Sequence, residues 1–237
     1  MSQLYHNLQE SRGYNVHTEK KITPHQKEKI MEILFDNPLY VVCVKPAGIS
    51  SQDAGEGSLP VLLKKALGLN EIYTVHRLDT VTSGVMVYAK TRAAAADFSR
   101  QITDGSFTKE YLAVVHGIID EKQAVLEDML FKDSRKNKSF VVKRERKGVK
   151  KASLEYEVIE EKNGLSFVKI RLHTGRTHQI RVQFSSRRHP VYGDGKYGAS
   201  DNIPFIALHS HTISFIEPEK RERVSFSSPL PRYDFFE

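Results

Sequence analysis

Cysteine is almost missing from this chain of 237 residues; Cys43 is the only one. One thiol excludes an intrachain disulfide and a cysteine zinc cluster. Long apolar runs are missing too. None approaches the roughly 18–20 residues that span a membrane. Residues 1–20 are polar and lack the apolar stretch of a secretory signal. These absences favour the cytoplasm and no membrane partner. No acidic cluster has the spacing of a magnesium site, and no glycine-rich strand-to-helix turn suggests a nucleotide cofactor. Gly193-Asp194-Gly195 with Tyr197-Gly198 reads as a turn, since no helix N-terminus follows closely to make it a phosphate loop. Internal repeats and long low-complexity segments are absent.

What is present is positive charge. The formal net charge is +7, and a basic surface suits a polyanion because each neutralised phosphate releases counterions. The charge is densest over residues 135–151, where nine lysines and arginines face one acid, Glu145. Two readings are open for this run: a solvated hairpin tip whose like charges repel, or an arm on RNA phosphate. Lys143 and Arg144 are its candidate substrate contacts.

From residue 39 the chain alternates strands and helices. Strands are expected over residues 39–44, 73–78, 84–89, 111–115, 125–131, 154–159, 167–172, 205–208, 212–216 and 223–226. Helices are expected over 58–67 with Ser58 as N-cap and Pro60 in the first turn, over 91–102 with Thr91 as N-cap, and over 177–188 with Thr177 as cap and Ile180 and Phe184 on its inner face. Residues 24–35 have the pattern of a further short helix. Strands outnumber helices and hairpins are frequent. The fold class is therefore α+β, a mixed and mainly antiparallel sheet with flanking helices. Residues 1–36 are too few for an independent domain. They are expected to be a short extension to a single domain over 37–237.

The most informative stretch is Val75-His76-Arg77-Leu78-Asp79-Thr80-Val81-Thr82-Ser83-Gly84. It puts one carboxylate, one guanidinium and several hydroxyls on a turn between two apolar β segments, a frame rigid enough to aim a catalytic group. Downstream come Lys109-Glu110-Tyr111-Leu112, then Gly175-Arg176-Thr177-His178-Gln179-Ile180-Arg181, His189-Pro190-Val191-Tyr192-Gly193-Asp194 and Leu208-His209-Ser210-His211. Together and in this order these motifs resemble the RluA-type RNA pseudouridine synthases over roughly residues 38–232.

The resemblance implies the pseudouridine synthase fold and an isomerase that turns specific uridines of structured ribosomal or transfer RNA into pseudouridine. It implies Asp79 as the catalytic carboxylate, Arg176 as its ionic partner and Tyr111 as the active-site aromatic. Ile180 would pack beneath Tyr111. Chemically, an ionised carboxylate can attack covalently or remove the ribose 2′ proton. A guanidinium keeps it ionised. An aromatic ring can stack on a flipped base, or its hydroxyl can serve in proton removal from carbon 5. Arg77 either holds RNA or braces the turn, and His76 is a polar strut beside it. No cofactor is expected, because the reaction needs neither a redox step nor external energy. The partner is an RNA stem-loop, and the protein is expected to be a monomer.

Two rivals stand beside this reading. One is a non-catalytic RNA-binding or RNA-folding protein on the same fold. The other is a metal-dependent hydrolase using His209 and His211, which share one side of a strand, with His173 and His178. No acidic or cysteine partner sits at a metal-like spacing, so no metal is expected.

Overall fold

The computed structural model describes residues 31–201 and 203–228. In chain order its elements are β1 (Glu32–Asp36), β2 (Tyr40–Lys45), α1 (Leu59–Leu67), β3 (Tyr73–Thr74), β4 (Ser83–Ala89), α2 (Arg92–Asp104), β5 (Thr108–His116), β6 (Gln123–Asp133), β7 (Lys138–Val142), β8 (Val149–Lys162), β9 (Leu165–Leu172), α3 (Gln179–Ser186), a 3-10 turn (Gly195–Tyr197), β10 (Leu208–Ile216) and β11 (Arg223–Ser227). The strands form one sheet in the order β1-β2-β4-β10-β5-β9-β8-β6-β7, with β3 on β4 and β11 on β10. Every pairing is antiparallel except β4 with β10, which are parallel at His209 and Ser83. The expected α+β class with a mainly antiparallel sheet is what the chain adopts.

The central strands are apolar along their whole length because both faces are covered. On β2 and β4, Val41, Cys43, Met86 and Tyr88 face one core, which α1 and α3 close with Leu59, Leu63, Ile180 and Phe184. Tyr40, Val42, Val85 and Val87 face the other, which α2 closes with Ala94 and Phe98. In that second core Phe98 meets Tyr40 and Phe215 edge-on, with ring centres 5.7 and 5.0 Å apart. Each such pair adds about 0.5–1.5 kcal/mol beyond area burial. Tyr111, Ala113 and Val115 of β5 face the α3 side, and that is the side on which the site forms.

Several local expectations need correction. The helix expected over 24–35 falls partly outside the described residues, and its described part is β1. Asn37 Oδ1 accepts the Leu39 and Tyr40 amides at 2.9 and 2.8 Å. That turn folds Glu32–Asp36 back onto β2, so ladder hydrogen bonds replace helical ones. The strands expected at 205–208 and 212–216 are instead one, β10, with a register shift between Ser210 and Thr212 on its β5 side; residues 205–207 are loop. The strand expected over 73–78 is only the two residues of β3. Phe140-Val141-Val142, inside the basic run, lies on β7, which pairs with β6. At α2, Thr91 Oγ1 accepts the Ala94 amide at 3.2 Å, as an N-cap should. Ser58 sits at the α1 N-cap, but its hydroxyl donates to the Gly55 carbonyl instead.

Candidate active site

Asp79 sits on the turn that feeds β4, and that turn is tied down from below. Lys45 is fully buried, and its ammonium donates to the carbonyls of Pro46, Ile49 and Thr80 at 3.0, 2.9 and 3.2 Å. The Gly48 amide donates to the Thr80 carbonyl as well. Ser51 exchanges two hydrogen bonds with the Leu78 backbone, and the Tyr88 hydroxyl donates to the Ser51 carbonyl at 2.7 Å. A buried ammonium wrapped by three carbonyls has an acceptor for each of its three N–H groups. It fixes the backbone on either side of Asp79.

The ionic partner of Asp79 is Arg181, not Arg176. Arg181 Nη1 donates to Asp79 Oδ2 at 3.0 Å. Its Nε and Nη2 grip Asp194 at 2.6 and 2.8 Å. Arg181 is 5 % exposed and Asp194 1 %. Burial works against the Arg181 charge, but the bonds to Asp194 and then Asp79 outweigh it and raise its pKa. A two-pronged grip by one carboxylate through Nε and Nη2 leaves Nη1 for the other. Asp79 Oδ1 makes no hydrogen bond among the described residues.

Arg176 is displaced by the local backbone. His178 takes a left-handed conformation, φ 54°, and the helix begins only at Gln179. Arg176 therefore stays ahead of the bend, where its Nε donates to the Lys151 carbonyl at 2.8 Å. Arg181 lies in the first turn of α3 and points inward. The same bend removes Thr177 from the cap position. His178 holds that position without a side-chain cap bond, and Gln179 Oε1 ties down the bend by accepting the Arg176 amide at 3.0 Å.

His178 Nε2 lies 3.9 Å from Asp79 Oδ2, and its Nδ1 is 2.9 Å from the Tyr197 hydroxyl. Burial lowers the His178 pKa, Asp79 opposes this and Arg181 adds to it. Tyr197 is itself held by the Ser139 amide at 2.8 Å and lies under the Arg181 guanidinium, 5.1 Å away.

Two clefts meet at Asp79. The larger, about 710 Å³, is walled by Asp79, Tyr111, Ile180, Leu208, Arg176 and Lys109 among others. The smaller, about 350 Å³, lies toward Gln52, Asn137 and Lys196. Arg77 walls both; it donates to Gln52 Oε1 at 3.5 Å and Thr177 Oγ1 at 3.3 Å. Among the described residues Asp79 is the single carboxylate that walls the larger cleft, against Arg77, Lys109, Arg171, Arg176 and Arg181. Tyr111 and Ile180 share one core. Burial, then the Asp79 charge, push the Tyr111 hydroxyl pKa up, and a contact with Ser210 opposes them.

His76 Nε2 accepts the Val87 amide at 3.1 Å. Burial, then the Lys109 charge, lower its pKa to about 3, so it is neutral and braces β4. Lys143 and Arg144 are exposed between β7 and β8 and wall neither cleft. His209 is engaged at both nitrogens, by Ser83 Oγ at 2.8 Å and Ser228 Oγ at 3.2 Å, and His211 by the Ser228 carbonyl. Among the described residues no three histidine, cysteine, aspartate or glutamate side chains are grouped to hold a metal ion.

The sequence analysis assigned no role to Arg181, Asp194 or Lys45, and weighed His178 only for a metal site. One signal was available. Arg181 interrupts an otherwise inward-facing helical run, and a buried arginine requires an acid.

Residues 39–186 match the RNA pseudouridylate synthase family. RNA pseudouridine synthase YlyB of Bacillus subtilis is 32 % identical over 214 residues, spanning 85 % of this chain and 69 % of its own. Ribosomal large subunit pseudouridine synthase C of Buchnera aphidicola is 29 % identical over 218 residues (87 % and 69 %). Synthase D of Neisseria meningitidis is 34 % identical over 224 (85 % and 58 %). In three dimensions, human RNA pseudouridylate synthase domain containing 1 superposes with a TM-score of 0.74 at 25 % identity, covering 88 % of this chain and 87 % of that one. With this fold and this match over 39–186, the chain belongs to the RNA pseudouridylate synthase family and is an RNA-modifying isomerase.

Proposed function

We propose that Asp79 is the catalytic carboxylate, that Arg181 pairs with it and aims it, and that Tyr111 stacks on the flipped uracil over Ile180. The observation that carries this reading is the ion-paired chain Asp79–Arg181–Asp194 at the edge of a cleft that, among the described residues, has no second carboxylate. A protein that only bound RNA would gain nothing from presenting an acid to a polyanion. In the isomerisation the bond between ribose carbon 1′ and uracil N1 breaks, and its electron pair leaves with N1. Carbon 5 then bonds carbon 1′ and loses its proton, and N1 gains one, so the sum is neutral and redox-free. Asp79 acts either as nucleophile toward ribose or base, or as base toward the 2′ proton. Its uncommitted Oδ1 suits either. The raised Tyr111 pKa keeps the hydroxyl protonated, which favours stacking over proton acceptance.

The names of the relatives favour a uridine of large-subunit ribosomal RNA as the target. The basic β7–β8 turn, with Lys143 and Arg144, is the proposed phosphate contact outside the cleft. We further infer a monomer acting in the cytoplasm, where ribosomal RNA is found, with one catalytic domain. The pairing of β1 with β2 supports counting residues 32–36 with that domain.

The test is Asp79→Asn, assayed as purified protein on RNA from cells lacking the gene. It should fold and bind RNA like the wild type and lose at least about a thousandfold in turnover, roughly 4 kcal/mol. Substantial activity in that variant would remove Asp79 from the mechanism. Mapping pseudouridine with and without the gene should show the loss of a ribosomal site. A loss confined to transfer RNA would overturn the target.

A further inference from the structure

We propose that Lys109 is a substrate-binding residue of this synthase, and that its ammonium takes a phosphodiester oxygen next to the flipped uridine. Lys109 walls the larger cleft. It lies two residues before Tyr111 on β5, so both side chains leave the same face of the strand, about 7 Å apart along it. Among the described residues its ammonium makes no hydrogen bond or ion pair. Burial pushes its pKa below the usual lysine range, and no neighbouring carboxylate offsets this. The contrast with Lys45 is direct. That buried ammonium is enclosed by three carbonyls, whereas Lys109 is left with an open valence in a cleft.

A second unmatched donor lies within its field. His76 Nε2 accepts from Val87, so the neutral ring carries its proton on Nδ1. That Nδ1 is buried without a partner, and the Lys109 charge acts on the ring. Two unmatched donors beside one cleft lack an acceptor, and a full negative charge answers a desolvated ammonium better than a carbonyl dipole does. Gly175 keeps the approach open, since a side chain there would start 3.5 Å from Lys109 Nζ. With a uracil on Tyr111, the sugar-phosphate of the same nucleotide comes within reach of Lys109. The inference rests on the Tyr111 reading for that placement.

The test titrates the full-length protein with uridine 5′-monophosphate, uridine 3′-monophosphate and uridine, with binding followed by NMR. The wild type should prefer at least one monophosphate over uridine by about tenfold, the scale of one charge-assisted contact. Lys109→Gln should remove most of that preference, keep the affinity for uridine, and keep or raise the melting temperature, because it deletes an unpaired, half-buried charge. Lys109→Arg should recover part of the preference. A wild type without preference, or a Lys109→Gln protein that retains it, would overturn the proposal. Tyr111→Ala separates the two readings. It should weaken all three ligands alike; if it weakens none while Lys109→Gln still abolishes the preference, the stacking role fails and the phosphate contact stands.

Discussion

Arg176 and Arg181 lie five residues apart, and the difference between them is a single left-handed residue. Because His178 bends the chain, Arg176 is spent on a backbone carbonyl and Arg181 on two acids. Arg176→Gln should therefore leave kcat within about threefold of wild type. Arg181→Gln should lower kcat at least a hundredfold and destabilise the fold by about 3–5 kcal/mol, the usual cost of leaving a buried charge unpaired. Steady-state kinetics and denaturant melts of both variants check this, and equal kinetic damage would return Arg176 to the site. Asp79 was legible in the sequence because its neighbours in the chain form the motif. Arg181 was harder to single out, since its meaning comes from Asp194, thirteen residues on, and from a bend with no sequence signature.

Elements were legible where one local signal dominated. Thr91 capped its helix as expected, and the apolar runs of β2 and β4 became central strands. Expectations failed where tertiary pairing decided, as at β1 and at the loop ahead of β10. Gly84 shows why a strand's neighbours matter. Its φ is +119°, and a Cβ there would lie 2.2 Å from the Ser210 carbonyl oxygen, so the parallel contact of β4 with β10 needs glycine. Gly84→Ala should cost more than about 3 kcal/mol in chemical denaturation, whereas Gly57→Ala, with nothing within 4 Å of its Cβ, should change stability by less than about 0.5 kcal/mol. At the other end of the sheet, the β7–β8 turn projects its charges into solvent. Replacing Lys143, Arg144, Arg146 and Lys147 with glutamine should flatten the dependence of log RNA affinity on log salt. Each lost phosphate contact should reduce the slope by about 0.7–0.9. An unchanged slope would make the turn a bystander.

For the molecule as a whole, stability should depend on acid. Burial, with the His211 charge second, lowers His209 to about 4, and His76 goes to about 3. Both rings fold neutral, while in the unfolded chain each takes a proton near pH 6.5. The unfolded state therefore binds more protons below that point. The stability these residues contribute is fully present above pH 6.5 and is lost as pH falls through 4 and then 3. For His209 the loss is on the order of 3 kcal/mol. Melting temperature should fall across this window, and less steeply in His209→Gln; parallel curves for the two proteins would refute the assignment.

The insertion of β10 between β4 and β5 also has a kinetic meaning. The site pairs Asp79 with a residue 102 positions later, and Ser210 bonds Val85 across 125. Contacts that distant close slowly, because loop entropy is lost before they reward it. During synthesis, residues 31–207 leave the ribosome with β4 and β5 lacking the strand that joins them. The turn that carries Asp79 then has no neighbour on one side. A nascent chain of this enzyme thus carries Asp79, Tyr111 and Arg181 before it has the strand that joins β4 to β5, and the sheet around Asp79 closes in one late step, when residues 208–216 slot home.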